Sequence, residues 1–194
     1  MHDDSTLVEL RISRFVRERL RPALNRAAVP LTVESWDTPG EPVPFADAIR
    51  QDYSPFGTGR TWGRPWGTTW LHITGTVPAD WSVDDTLRVE LLVDLGFSQA
   101  TPGFQAEGLV WSPDGVILKA VEPRNRSVPL TTEAGGNIDL YIEAAANPDV
   151  TSGFTFVATD KGDPATAGTT PIYRLRQVDI VLRDQTVWEF LQDF

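Results

Sequence analysis

Apolar residues near the start of the chain recur at spacings near three and four, which predicts an amphipathic helix. The recurring residues are Leu7, Leu10, Val16, Leu20 and Leu24. Ser5 or Thr6 is the expected N-cap, because a hydroxyl there can accept from free backbone N–H groups. Pro22 comes late in the pattern, where we expect it to end or kink the helix.

Six arginines share this stretch, at positions 11, 14, 17, 19, 21 and 26. The favoured interpretation is the solvated face of a helix that docks on the fold. A basic contact surface for another domain is the alternative.

A strand is predicted at residues 30–36, and it is followed by a Pro/Gly-rich segment at residues 38–65. Its prolines exclude regular structure over much of its length, and a loop this long is usually functional or buried against another domain. From Thr68 onward the pattern is that of strands. The candidates are residues 68–77, 86–95, 106–112, 115–121, 126–131, 137–146, 154–159 and 172–182.

Turn residues separate these strands, and Ser112-Pro113-Asp114-Gly115 predicts a hairpin. Many short strands of this kind predict a mainly β fold, a jelly-roll-like β-sandwich with an N-terminal amphipathic helix and the start of a short C-terminal helix. The expected division is a helix over residues 1–29, a sandwich over 30–183 and a linker or helix over 184–194. Because the last residues include apolar Trp188, Phe190, Leu191 and Phe194, we expect the native polypeptide to continue.

Composition narrows the class of protein. The chain has 194 residues, 41% of them hydrophobic, and a formal net charge of −10. A nucleic-acid partner is not expected, because phosphate binding needs clustered Lys and Arg. Lys119 and Lys161 are the only lysines, no run of apolar residues is long enough to span a bilayer, and no membrane partner is expected. The absence of Cys and of a signal-peptide pattern favours the cytoplasm.

Catalytic constellations are not found in the sequence. His2 and His72 are the only histidines, too few for a zinc site with three converging ligands. Alternation places His72 opposite Leu71 and Ile73, which indicates an exposed or half-buried strand residue. For calcium, the pairs Asp84-Asp85 and Asp160 with Asp163 are weak candidates. A Gly-x-Ser-x-Gly motif and a P-loop are also missing.

Two carboxylates lie in apolar strands, Glu107 and Glu143. Glycosidases use a pair of carboxyl groups, but these two stand in no recognisable catalytic motif. The favoured interpretation is that both face solvent or Arg partners, since a buried unpaired carboxylate is costly. The alternative is that either faces a cleft.

Four tryptophans fall within 20 residues: Trp62, Trp66, Trp70 and Trp81. Trp70 and Trp81 are expected in the core, as is usual in β-sandwiches. Trp62 and Trp66 flank Gly63-Arg64-Pro65 and are candidates for contact with a sugar or a neighbouring domain, with burial as an equal alternative.

Four stretches together carry a family resemblance. They are Trp62 to Ile73, with Val77-Pro78 and Trp81 after it; Glu107 to Trp111 with Asp114-Gly115; Arg124 to Leu130; and Tyr141 to Asn147. In this order they resemble the N-terminal domain of glycoside hydrolase family 38, most closely its cytosolic-type α-mannosidases. The resemblance covers about residues 50–194, and its motifs are structural rather than catalytic.

The resemblance implies a parent that is a retaining, metal-dependent α-mannosidase. Its divalent metal, expected to be zinc, and its Asp nucleophile would lie in a following α/β domain. That domain's His-x-His/Asp motif is absent from this sequence, so we assign no catalytic residue, no metal ligand and no cofactor to this segment. The expected partners are the catalytic domain of the same polypeptide and, as a further candidate, a carbohydrate; the parent is expected to be a homo-oligomer.

The segment from Arg60 to Gly67 is the predicted contact with a neighbouring domain or a sugar, through Arg60, Trp62, Arg64 and Trp66. Glu107, Trp111, Glu143 and Asn147 are lesser candidates. Two other functions remain open: a stand-alone carbohydrate-binding module and an unrelated β-sandwich interaction domain.

Overall fold

The computed structural model describes residues 4–98, 103–152 and 155–193. Its elements are, in chain order, α1 (Ser5–Phe15), a π-helical turn (Val16–Leu20), α2 (Arg21–Ala23), β1 (Asn25–Pro30), β2 (Thr32–Asp37), α3 (Phe45–Ala48), β3 (Ser54–Phe56), β4 (Thr61–Trp62), β5 (Thr68–Thr76), β6 (Leu87–Asp94), β7 (Glu107–Trp111), β8 (Ile117–Val121), β9 (Ser127–Pro129), β10 (Asn137–Ala145), β11 (Thr151–Ser152), β12 (Thr155–Phe156), a 3₁₀ turn (Asp160–Gly162), β13 (Tyr173–Arg174), β14 (Gln177–Asp184) and α4 (Gln185–Gln192).

Two antiparallel sheets form the body of the molecule. One has the order β1-β14-β6-β9 and the other the order β3-β2-β5-β10-β7-β8, while β11-β12 and β13-β4 form small pairs. One hydrophobic core joins the inner faces of both large sheets. This arrangement confirms the predicted mainly β, jelly-roll-like sandwich.

Alternation along each strand decides which face enters the core. In β10, Ile138, Leu140, Ile142 and Ala144 are buried, while the residues between them are exposed or half-buried. In β6 the residues Val89, Leu91 and Val93 point inward in the same way. A one-residue shift in register would turn these side chains out of the core, so the pattern fixes the pairing.

The N-terminal helix is confirmed, but with corrections. Its N-cap is Asp4 rather than Ser5 or Thr6, and no side-chain capping bond is formed. The helical part ends at Ala23, just after Pro22, so the segment predicted as helix to residue 29 contains strand β1. Leu20 packs inward, whereas Leu7 and Leu10 are exposed, so the apolar residues do not form one buried face.

The Pro/Gly-rich segment contains three short elements that were not predicted, α3, β3 and β4. The hairpin at Ser112–Gly115 is confirmed, with Gly115 at a φ of 83° that suits glycine. Residues 172–182 form two strands instead of one, and the predicted strand at 154–159 shortens to β12, with Phe154 outside the described residues. The predicted C-terminal helix is α4, capped by the Asp184 carboxylate, which accepts from Val187 N at 2.9 Å. None of the described helices has the length and apolarity needed to cross a membrane.

Candidate functional site

Acidic and histidine side chains do not converge on a metal site within the described parts of the chain. His72 is half-buried on β5, as predicted: its Nε2 lies 2.9 Å from Asp139 Oδ1, and its ring stacks on Tyr141 at 4.5 Å. His2 lies outside the described residues.

Two of the four aspartates considered for calcium, Asp84 and Asp163, serve local turns. The Asp84 carboxylate accepts from Thr86 and Leu87, and these bonds hold its pKa below the usual range. Asp163 accepts from Ala165 N at 2.8 Å. These oxygens stabilise backbone turns.

Trp62 is part of the core and not of a contact surface. Its side chain is 3% exposed, its ring packs against Tyr173, and its indole N–H donates to the Leu95 carbonyl at 2.8 Å. The ring therefore has no free face on which a sugar could stack. Of the two equal alternatives for Trp62, contact and burial, the structure therefore shows burial.

Trp66, four residues later, is on the surface. It is 42% exposed, its φ is 64°, and its indole N–H donates to the Lys161 carbonyl at 2.8 Å. A φ in this region is unusual for a residue with a Cβ, so the surrounding backbone must impose it. The Trp66 N–H donates to the Ala146 carbonyl at 2.9 Å, which ties this turn to the end of β10.

The two arginines of this segment hold neighbouring loops in place. Arg60 donates to the Pro55 carbonyl, and its guanidinium lies over the Phe56 ring. Arg64 donates to the carbonyls of Thr38 and Gly40. Both side chains remain exposed beyond these bonds, so of the four residues predicted here, all except Trp62 are on the surface.

An aromatic layer covers the outer face of the six-stranded sheet. Trp70, Trp111 and Tyr141 extend from the strands, and Phe45 in α3 packs on all three, stacking on Trp111 with ring centroids 5.1 Å apart. Trp70 is fully buried, as predicted, but it lies beneath Phe45 and not between the sheets. Trp81 is half-buried against the core. Sequence reasoning missed the layer, although the alternation of β10 already placed Tyr141 and Glu143 on one face.

A groove adjoins this layer on the outer side of β7, β8 and β10. Its volume is about 420 Å³, and it is lined by Pro42, Thr68, Gly108, Leu109, Ala120, Val121, Ala145 and the three glutamates 107, 122 and 143. The structure therefore brings Glu107 and Glu143 together at a cleft, with no arginine partner for either within the described part of the chain.

Glu143 is the most enclosed of these carboxyls. Burial raises its pKa, and the neighbouring Trp111 indole partly offsets that effect. The Trp111 N–H itself is buried and forms no hydrogen bond of normal geometry within residues 4–98, 103–152 and 155–193. Asn147 does not line the groove; its carbonyl accepts from the Tyr173 hydroxyl.

A second surface lies where the N-terminal helical segment and α4 approach each other. In α1 the exposed apolar residues are Leu7, Val8, Leu10, Ile12 and Phe15, and α4 adds Trp188 and Phe190. A cleft of about 360 Å³ separates the helices, lined by residues such as Ile12, Val16, Leu24 and Leu191. We call this the helical surface.

A buried ion pair anchors α4 under the helical surface. Arg183 pairs with Glu90, also donates to Ser127 Oγ at 2.9 Å, and its guanidinium lies 4.0 Å from the Trp188 ring. Asp184, the cap of α4, accepts from Arg26 Nε at 2.8 Å. The bond from Val187 N contributes most to lowering the pKa of Asp184.

Comparison with known proteins bears on this geometry. Residues 29–181 match a family described as the jelly roll domain of alpha-mannosidase. Human (Homo sapiens) alpha-mannosidase 2C1 is 28% identical to the chain over an alignment of 149 residues that covers 71% of this chain and 13% of that relative. The chain thus spans a small part of the length of the curated relative it matches.

Proposed function

Since the chain belongs to the alpha-mannosidase jelly roll domain family, we propose that it is the non-catalytic N-terminal β-domain of an α-mannosidase. The parent protein hydrolyses terminal α-mannosides with a divalent metal, zinc by expectation, held in another domain. This domain packs on the catalytic domain of the same polypeptide and shapes the active site or a subunit interface. We place the parent in the cytoplasm and expect it to be a homo-oligomer.

The helical surface is the observation that carries this proposal. Soluble proteins rarely leave several large apolar side chains of neighbouring helices exposed together, unless they belong to an interaction site. The apolar side chains of α1 are 38–62% exposed, and the surface includes the aromatic rings of Phe15, Trp188 and Phe190. Helix α1 also carries the exposed Arg11 and Arg14. Aromatic residues and Arg are the types enriched at protein interfaces.

Several polar side chains of the sandwich already serve the fold, which supports a structural role. Arg183 and Glu90 neutralise each other, Asp84 and Asp163 close turns, and Arg60 and Arg64 fasten loops. Groups that are already bonded in this way are poor candidates for proton transfer or nucleophilic attack, which need a free and positioned side chain.

The purified chain tests the non-catalytic part of the proposal. We expect it to release no chromophore from a nitrophenyl α-mannoside above the rate of buffer alone, with zinc or cobalt added. Hydrolysis by the chain, abolished by a mannosidase inhibitor, would refute it.

The proposed packing on the catalytic domain is tested in the full polypeptide. Leu10→Asp with Phe15→Asp should lower its thermal stability or mannosidase activity, because charges would enter an interdomain contact. Val116→Asp is the matched control, since Val116 is equally exposed in the β7–β8 hairpin. Equal behaviour of the two variants would contradict packing through the helical surface.

Calorimetry separates this proposal from a stand-alone carbohydrate-binding module. Trp66 is the ring of the Arg60–Gly67 segment with a solvent-exposed surface. We expect no heat of binding with mannose oligosaccharides; binding that disappears in Trp66→Ala would favour the carbohydrate module.

A further inference from the structure

The groove beside the aromatic layer combines an apolar floor with acidic walls. Leu109, Ala120 and Ala145 supply the floor from three adjacent strands, and the carboxylates belong to Glu107, Glu122 and Glu143. Such a mixture of apolar lining and a few polar groups is typical of a recognition site, and a volume of about 420 Å³ accommodates a long side chain.

The groove lining carries an excess of acidic side chains. The groove lining contains no Lys or Arg, and none of its three glutamates forms an ion pair within the described residues. The Glu122 carboxylate accepts from the Arg124 backbone N–H. Lys119 has an electrostatic interaction with Glu122 but donates its hydrogen bond to the Ser127 carbonyl, at 2.7 Å. Carboxylates grouped in a cleft focus a negative potential that attracts a cation.

We propose that this groove is a docking site for a basic side chain, an arginine by preference, presented by a partner protein. The methylene stem of the arginine would lie along the apolar floor, and its guanidinium would bridge the glutamates. An arginine fits better than a lysine because its planar fork can bond two carboxylates at once. The inference goes beyond the proposed function, because it concerns the opposite sheet from the helical surface.

A neutral saccharide is the competing occupant. Its hydroxyls could donate to the carboxylates, but they would leave the negative charges uncompensated. Charge complementarity therefore favours the cation.

Amide chemical shifts measured on the ¹⁵N-labelled chain test the inference. The probe is Nα-acetyl-arginine amide, which has both the methylene stem and the guanidinium. Nα-acetyl-norleucine amide, which has an alkyl chain but no charged group, is the control probe. We expect the arginine probe alone to shift the resonances of Leu109, Ala120 and Ala145 in a saturable manner. Glu143→Gln or Glu107→Gln should weaken this binding at least about fivefold.

Glu133→Gln is the control variant, because Glu133 is an exposed carboxylate outside the groove lining; its affinity should be unchanged. Equal shifts with the norleucine probe, unchanged binding in the groove variants, or saturable binding of methyl α-mannoside in place of the arginine probe would each overturn the inference. Because the parent's mannosidase activity is measured separately, none of these results bears on the proposed function.

Discussion

The β-sandwich and the helical surface use the same kinds of apolar residue with opposite outcomes. Leu91 in β6 has no exposed surface, whereas Leu10 in α1 is 62% exposed. The strands close on each other through two complementary faces, so every inward position finds a partner. Helix α1 has no buried residue at all among its eleven.

This difference separates what the chain stabilises by itself from what it presents to a partner. An isolated helix of this length is marginal in water, so α1 needs packing, and the first buried residue after it is Leu20 in the π-helical turn. The exposed apolar residues of α1 add little to the stability of this chain, and a contact with a partner surface explains them better.

The largest contrast in stability is expected between two tryptophans of the Arg60–Gly67 segment. We expect Trp62→Ala to lower the free energy of unfolding by about 3–5 kcal/mol, because it empties a core site and frees the Leu95 carbonyl. Trp66→Ala should cost less than about 1 kcal/mol. Urea denaturation followed by circular dichroism measures both; equal losses would show that Trp66 is also structural.

A leucine pair extends the contrast to the two regions. Leu91→Ala should destabilise the chain by about 2–5 kcal/mol through a buried cavity. Leu10→Ala should stay within about 0.5 kcal/mol, since the isopropyl group that it removes is largely exposed to water already. If Leu10→Ala proved as costly as Leu91→Ala, α1 would have to be part of the cooperative core.

The helix cap at the border between the regions should give a smaller effect. Asp184→Ala removes the capping acceptor of α4 and should lower the free energy of unfolding by about 0.5–2 kcal/mol at neutral pH. Asp184→Asn keeps a capping acceptor and should retain most of this stability. Because the pKa of Asp184 is lowered in the folded chain, its stabilisation is present above the unfolded pKa and is lost as the pH falls through the folded pKa.

Denaturation of Asp184→Ala and the unchanged chain across acidic pH checks this sign. The two stabilities should converge as the pH falls. A difference that grew on acidification would mean that folding raises the pKa of Asp184 instead of lowering it.

The alternation of apolar and polar residues predicted the sandwich, because every second side chain of a strand lies on the same face of its sheet. The strands that contain Leu71 and Ile142 are examples. Alternation failed where contacts are non-local. Strand β1 was missed because its residues are short of apolar alternation and follow a helix; its pairing with β14 fixes it. Phe45 comes from a Pro/Gly-rich segment whose path no periodicity encodes, so the aromatic layer and its groove could not be predicted. The opposite environments of Trp62 and Trp66 likewise depend on loop geometry.

Amide hydrogen exchange of the purified chain, resolved by peptide, tests most directly whether the two regions differ as described. The account predicts slow exchange in β5, β6, β10 and β14, limited by global unfolding, and fast exchange through α1, limited only by local opening. Equal protection of α1 and the central strands would contradict it, because α1 would then unfold together with the core of the sandwich and would not be a separate contact surface.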